Sequence, residues 1–197
     1  MKNIFMDTSH KYLTVACIEN DSIKSIHHEY AFKNQSEFAM TVLSDCVSRA
    51  GWVPTDVNKM VITIGPGSYT GVRIAMTIAK TLSAISDIKI ATVTSLECFV
   101  SSNERTFVML DARSERVYGG LFENKKYIDG PRVYTLEEAA TFALNNQIRR
   151  YGDLHLFDLE DDFNITEDRI IECVRMASDV DEIDHLKPLY LKEMSAY

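Results

Sequence analysis

Apolar positions first gather along residues 3–6, 12–19 and 22–30, where β-branched and aromatic side chains cluster between polar turns at 7–11 and at Asn20-Asp21. That pattern predicts three short strands forming an antiparallel meander. The period then changes. Ala39, Leu43, Cys46, Val47 and Ala50 recur at helical spacing, and Gly51 is suited to the left-handed conformation that stops a helix. A strand over 59–64, a glycine-rich turn, a helix over about 72–85, a strand over 88–93 and a short helix near Ser95 follow. A second block starts at Thr106 with strands over 106–111 and 116–122 and a segment over 127–134 interrupted by Asp129-Gly130-Pro131. It continues with a helix over 136–144, a short strand over 154–157 and a helix over 167–177. The second block is a partial echo of the first, so two units are expected, 1–103 and a smaller 104–197.

Composition narrows the functional classes. With 21 Lys plus Arg against 29 Asp plus Glu, the 197-residue chain carries a net charge of −8, and 46% of it is hydrophobic. Enough apolar surface exists for a core, so disorder is excluded as the main state. The charge speaks against nucleic acid bound through a broad basic surface, which needs clustered Lys and Arg. A carboxylate at Asp7 precedes any apolar run long enough for a leader or a membrane span, so a cytoplasmic protein without membrane association is expected. Cys17, Cys46, Cys98 and Cys173 stand far apart within apolar patterns, which suits reduced buried thiols better than zinc or disulfides.

The turn Gly65-Pro66-Gly67-Ser68-Tyr69-Thr70-Gly71 lies between a predicted strand and a predicted helix, where backbone N–H groups could hold an anion. It is not a phosphate-binding P-loop, since no Gly-Lys-Ser/Thr follows, and Ser68 lacks the flanking glycines of a nucleophile elbow. Its last gap is one residue too long for a dinucleotide fingerprint. A tight strand-to-helix connection capped by Ser68 or Thr70 explains the spacing equally well. The following helix has two apolar stripes: Ile74, Ile78, Leu82 and Ile85 on one side, Val72, Ala75, Met76 and Ala79 on the other. One is expected to pack on the sheet, and the second, small and Met-containing, to meet a partner helix.

The string from Gly65 to Ala75 closely resembles the signature of the TsaB (YeaZ) family of tRNA threonylcarbamoyladenosine synthesis. Asp7-Thr8-Ser9, Thr94-Ser95-Leu96-Glu97, Asp111-Ala112-Arg113 and Pro188-Leu189-Tyr190-Leu191 fall in the same order as in that family. The resemblance implies an α/β, actin-like and ribonuclease-H-like fold of two subdomains with the second reduced. It also implies a non-catalytic subunit that binds TsaD and helps to recruit the small ATPase TsaE, with tRNA met only through the complex. The interface is expected at Phe38, Val42, Val72, Ala75, Met76 and Ala79, and a homodimer through the same face is compatible with that role.

Actin-like relatives bind ATP between subdomains, which would bring Asp7, Gly65, Gly67, Ser68, Thr70, Gly71, Asp111 and Arg113 towards an anion or nucleotide. Here Arg113 replaces the glycine of the second phosphate loop, and the glycines beyond Gly120 are too isolated for an adenosine site. No cofactor is therefore expected on this chain, with ATP and metal on partner subunits. No metal site is expected either: His27 and His28, adjacent on a strand, point to opposite faces, and His10, His155 and His185 are isolated. The catalytic alternative is a stand-alone ATP-binding actin-like enzyme, an ATPase or phosphotransferase.

Overall fold

The computed structural model describes residues 1–100 and 103–191, and these form two sheets. The meander is present as β1 (Lys2–Asp7), β2 (Tyr12–Glu19) and β3 (Ser22–Tyr30). After α1 (Gln35–Arg49), β4 (Lys59–Thr63) pairs parallel to β1, and after α2 (Tyr69–Ile85), β5 (Lys89–Val93) pairs parallel to β4. The second half repeats the opening with β6 (Thr106–Asp111), β7 (Arg116–Glu123), β8 (Lys126–Thr135), α3 (Leu136–Ala143) and β9 (Arg149–Gly152). Then α4 (Glu167–Met176) leads into a two-residue strand, β10 (Ser178–Asp179). The sheet orders are β10-β5-β4-β1-β2-β3 and β8-β7-β6-β9.

Strands buried on both faces explain their near-continuous apolar runs. Ile4 and Met6 of β1, with Met60 and Ile62 of β4, face α1 and α2; Phe5 and Val61 face the other way, into the core shared with α4. In β6, Val108 and Leu110 turn towards that shared core, whereas Phe107 and Met109 face α3. The order through the molecule is thus α1 and α2, first sheet, α4, second sheet, α3. All four cysteines are free and buried.

Three expectations change. Residues 154–157 form a 3-10 turn, and the strand lies just before them as β9, where Tyr151 pairs with Val108. Gly152 makes this pairing workable: a Cβ there would sit 1.8 Å from the Met109 carbonyl oxygen. The segment at Asp129-Gly130-Pro131 does not break its strand. The register shifts there while β8 continues, and an edge strand tolerates a proline.

The third correction concerns α2. Val72, Ala75, Met76 and Ala79, assigned from the sequence to a partner, are all buried within the chain, Met76 at 5% exposure, and the last three belong to the core over the first sheet. The outward side carries Arg73, Thr77 and Ile74 instead, with Ile85 at 76% exposure. Two stripes on one helix do not reveal from sequence which one the sheet claims; the small residues win because they allow the helix to lie close to β4 and β1.

The boundary expected near residue 103 falls between the sheets, but the chain does not stay beyond it. β10 returns to the edge of the first sheet, where Ser178 pairs with Thr92, and Val180, Ile183 and Leu186 pack on the core beneath α2.

Candidate functional site

Three loops meet where the two halves face each other: residues 7–11 after β1, the glycine turn before α2, and 111–115 between β6 and β7. Together they wall a cleft of about 800 Å³. Gly67, Ser68, Thr70, Asp111 and Arg113, all singled out from the sequence, line it, joined by Ser9, His10, Lys11, Asp153 and His155. Asp7, Gly65 and Gly71 do not; each serves the loops from behind.

Asp7 is fully buried. Its Oδ1 accepts bonds from the Ser9 amide at 2.7 Å and the Thr63 hydroxyl at 2.7 Å, tying β1 to β4. The Tyr12 amide donates to His10 Nδ1, which leaves the ring proton on Nε2, 3.0 Å from Asp7 Oδ2 and off the line of a hydrogen bond. Burial alone would raise the Asp7 pKa; the electrostatic pull of His10 and the contacts from His10 and Ser9 outweigh it and hold the carboxyl at about 2. One oxygen of this carboxylate is thus hydrogen-bonded inside the protein, and the other lies beside the His10 ring without a hydrogen bond.

The glycine turn is held against the same loop. The Ser68 amide donates to the Ser9 carbonyl at 2.7 Å, and the Ser68 hydroxyl caps α2 by accepting from the Gly71 amide at 3.1 Å. A Cβ on Gly67 would meet the Ser9 carbonyl at 2.3 Å and one on Gly71 the Thr8 carbonyl at 2.1 Å. These glycines are required by close backbone approach. Across the cleft, Arg113, Ser114 and Glu115 are all left-handed, with φ of 60°, 56° and 56°. Arg113 thereby takes the backbone shape expected of a glycine while placing a cationic side chain at the cleft wall. Its amide donates to Asp111 Oδ1 at 2.6 Å.

One cluster escaped the sequence reading because its members are distant in the chain. Lys11 Nζ lies 3.0 Å from Asp153 Oδ1 and 2.8 Å from Asp161 Oδ2, and His155 Nδ1 approaches the latter carboxylate at 2.8 Å. Asp153 Oδ2 also accepts the Asp111 amide at 2.8 Å. Burial works to lower the Lys11 pKa, but its bonds to the two carboxylates raise it above the ordinary lysine value. Asp153, His155 and Asp161 have ligand atoms within 4.8 Å of one another, as a metal would require, yet the ammonium already fills that role. His27 and His28 do not converge: His28 stacks on Tyr12 at 4.8 Å and bonds the Thr14 hydroxyl.

A second concavity of about 410 Å³ runs along α1 and α2. Ala39, Met40, Ile74 and Ile78 form its apolar floor, and Arg73 is the one charged residue among those lining it. Phe38 and Met40 stand 48% and 53% exposed on α1, while Val42 is half-buried against the core. Of the six interface residues expected from sequence, Phe38 and Val42 are the two that are not buried, and neither lines this concavity.

The sequence model of a family described as "TsaD: tRNA N6-adenosine threonylcarbamoyltransferase" matches residues 17–149. The chain is similar to the tRNA threonylcarbamoyladenosine biosynthesis protein TsaB of Bacillus subtilis, 38% identical over 130 residues, covering 64% of this chain and 56% of the relative. To the TsaB of Escherichia coli it is 27% identical over 124 residues, covering 60% and 53%. The matched region thus spans about half the length of these curated relatives. Among solved structures, a protein described as similar to peptidase YEAZ from Pseudomonas aeruginosa superposes with a TM-score of 0.81 at 20% identity, covering 97% of this chain and 99% of that one. YeaZ from Pseudomonas aeruginosa gives 0.75 at 19%, covering 96% and 99%. The shared fold is α/β and actin-like, with a mixed sheet in each half.

Proposed function

The chain belongs to the TsaD family of threonylcarbamoyltransferases and, within it, to the TsaB (YeaZ) group, and on that premise we propose that it is a docking subunit of tRNA threonylcarbamoyladenosine synthesis rather than its catalyst. It binds a TsaD homologue through the outer face of α1 and α2 and helps TsaE to join, in the cytoplasm, with tRNA, ATP and metal held by those partners. The observation that carries this reading is the apolar groove between the two helices, lined by Ala39, Ile74 and Ile78 and by the exposed Met40. The cleft supports it from the other side. Asp7 is buried behind the cleft and bonded by Ser9 and Thr63, and Asp153, in its wall, is engaged by Lys11 and the Asp111 amide.

The test is tRNA threonylcarbamoylation reconstituted from the same organism's purified components. Omitting this chain abolishes product, and Met40→Glu, exposed in the groove, does the same while leaving the fold intact; Met76→Glu instead unfolds the chain, because its carboxylate would enter the core. Unchanged product on omission overturns the proposal. Calorimetry with magnesium-ATP on the isolated chain addresses the stand-alone enzyme: tight binding accompanied by turnover would put that reading first. Light scattering across concentrations reports whether a second copy occupies the same helical face.

A further inference from the structure

The groove between α1 and α2 contains a polar feature that apolar packing does not explain. Arg73 lies with its guanidinium 4.0 Å above the Tyr69 ring, and its Nε donates to the Tyr190 hydroxyl at 2.9 Å. Tyr190 in turn stacks on Tyr69 at 5.3 Å. No carboxylate among the described residues pairs with Arg73, although the chain has 29 of them. Tyr190 reaches this point because residues 178–191 run back over the first half as a strap. β10 pairs with β5, Lys80 Nζ donates to the Asp184 carbonyl at 3.1 Å, and the Leu189 amide donates to the Ile64 carbonyl at 2.7 Å. The Leu189 carbonyl rests where a Cβ on Gly65 would approach it to 3.0 Å, so the first glycine of the turn makes the seat for the strap.

An arginine clamped between two tyrosines has already given up much of its side-chain freedom, and its remaining N–H groups form a preset fork. Closing the groove over that fork with apolar side chains alone would strip water from a charge and return nothing. From this we infer that the segment occupying the groove is an amphipathic helix of the partner subunit that brings a carboxylate to Arg73, and that Tyr190 is a positioning residue for that contact. A helix suits a trough between two helices, and the single positive charge among its lining residues selects an acidic one. The inference rests on the docking role proposed above and assigns the chemistry of its recognition.

The experiment is titration calorimetry of the full chain against the purified TsaD-family subunit of the same organism, at low and high salt. Arg73→Gln lowers affinity by roughly tenfold or more and flattens the salt dependence, whereas Arg73→Lys recovers part of the loss because it keeps the charge without the fork. Tyr190→Phe, which retains the stacking and loses only the hydroxyl, weakens binding a few-fold. Arg73 is exposed, so all three variants melt with the wild type, which separates recognition from folding. Wild-type affinity and salt slope in Arg73→Gln would overturn the inference while leaving the docking role standing. Failure of the unaltered chain to bind the subunit would remove both. An effect of Arg73→Gln on self-association alone would assign the groove to a second copy of this chain and overturn the inference equally.

Discussion

Replacing Asp7 by Asn tests the claim that this carboxylate braces the cleft from behind. The side chain keeps its shape, and its Oδ1 can still accept from Ser9 and Thr63. What changes is the atom facing His10. A neutral NH₂ would meet the ring N–H at the present separation of 3.0 Å, setting donor against donor in a fully buried space. The carboxyl titrates at about 2 in the folded chain against 3.8 ordinarily, which corresponds to about 2 kcal/mol of native-state stabilisation. Because the folded value is the lower one, this contribution is complete above about pH 4 and is lost as pH falls through about 2. Urea unfolding of both proteins at pH 7, 5 and 3 measures it. Asp7→Asn is expected to be less stable by about 2 kcal/mol at pH 7, a melting point lower by roughly 4–8 °C, with the gap narrowing below pH 4. The reconstituted reaction, run with saturating folded variant, stays near the wild-type rate. Equal stabilities at pH 7, or a gap that does not change with pH, would refute the brace.

Two further outcomes are expected. Gly71→Ala should lower stability by about 1–3 kcal/mol in thermal or urea melts despite its better helix propensity, since its methyl would lie 2.1 Å from the Thr8 carbonyl; a more stable variant would mean that this approach relaxes freely. Lys11→Met should lose at most about 1 kcal/mol, since the ammonium is partly solvated and screened, and less in high salt. The loss should be seen between about pH 4 and 10, because the raised lysine stabilises below its ordinary pKa and the lowered Asp161 above its own. A variant matching the wild type throughout that window would refute the clasp.

Much of this architecture was legible in the sequence because strands buried on both faces and a helix ending at Gly51 leave strong local patterns. The glycine turn was legible too, down to a capping hydroxyl, which Ser68 rather than Thr70 supplies. Which stripe of α2 faces inward was not, since both are apolar and only the sheet's demand for small residues beneath the helix decides it. β9 was hidden because Arg149 and Arg150 interrupt its apolar character, and its place comes from pairing with β6 more than forty residues earlier. The Lys11 cluster and the seat of Tyr190 on Tyr69 share that cause: they are contacts between ends of the chain, and no local period encodes them.

The return of β10 to the first sheet also alters what counts as a separable piece. The chain leaves the first half near residue 100 and re-enters it at 178, so the four-stranded half is, in covalent terms, an insertion between β5 and its own edge strand. A fragment cut at the apparent boundary would bare the outer edge of β5 and leave α2 without the segment that lies along it. Such a fragment would present an open edge to other chains, so excising the insertion and joining its two ends would be the sounder way to obtain the first half alone.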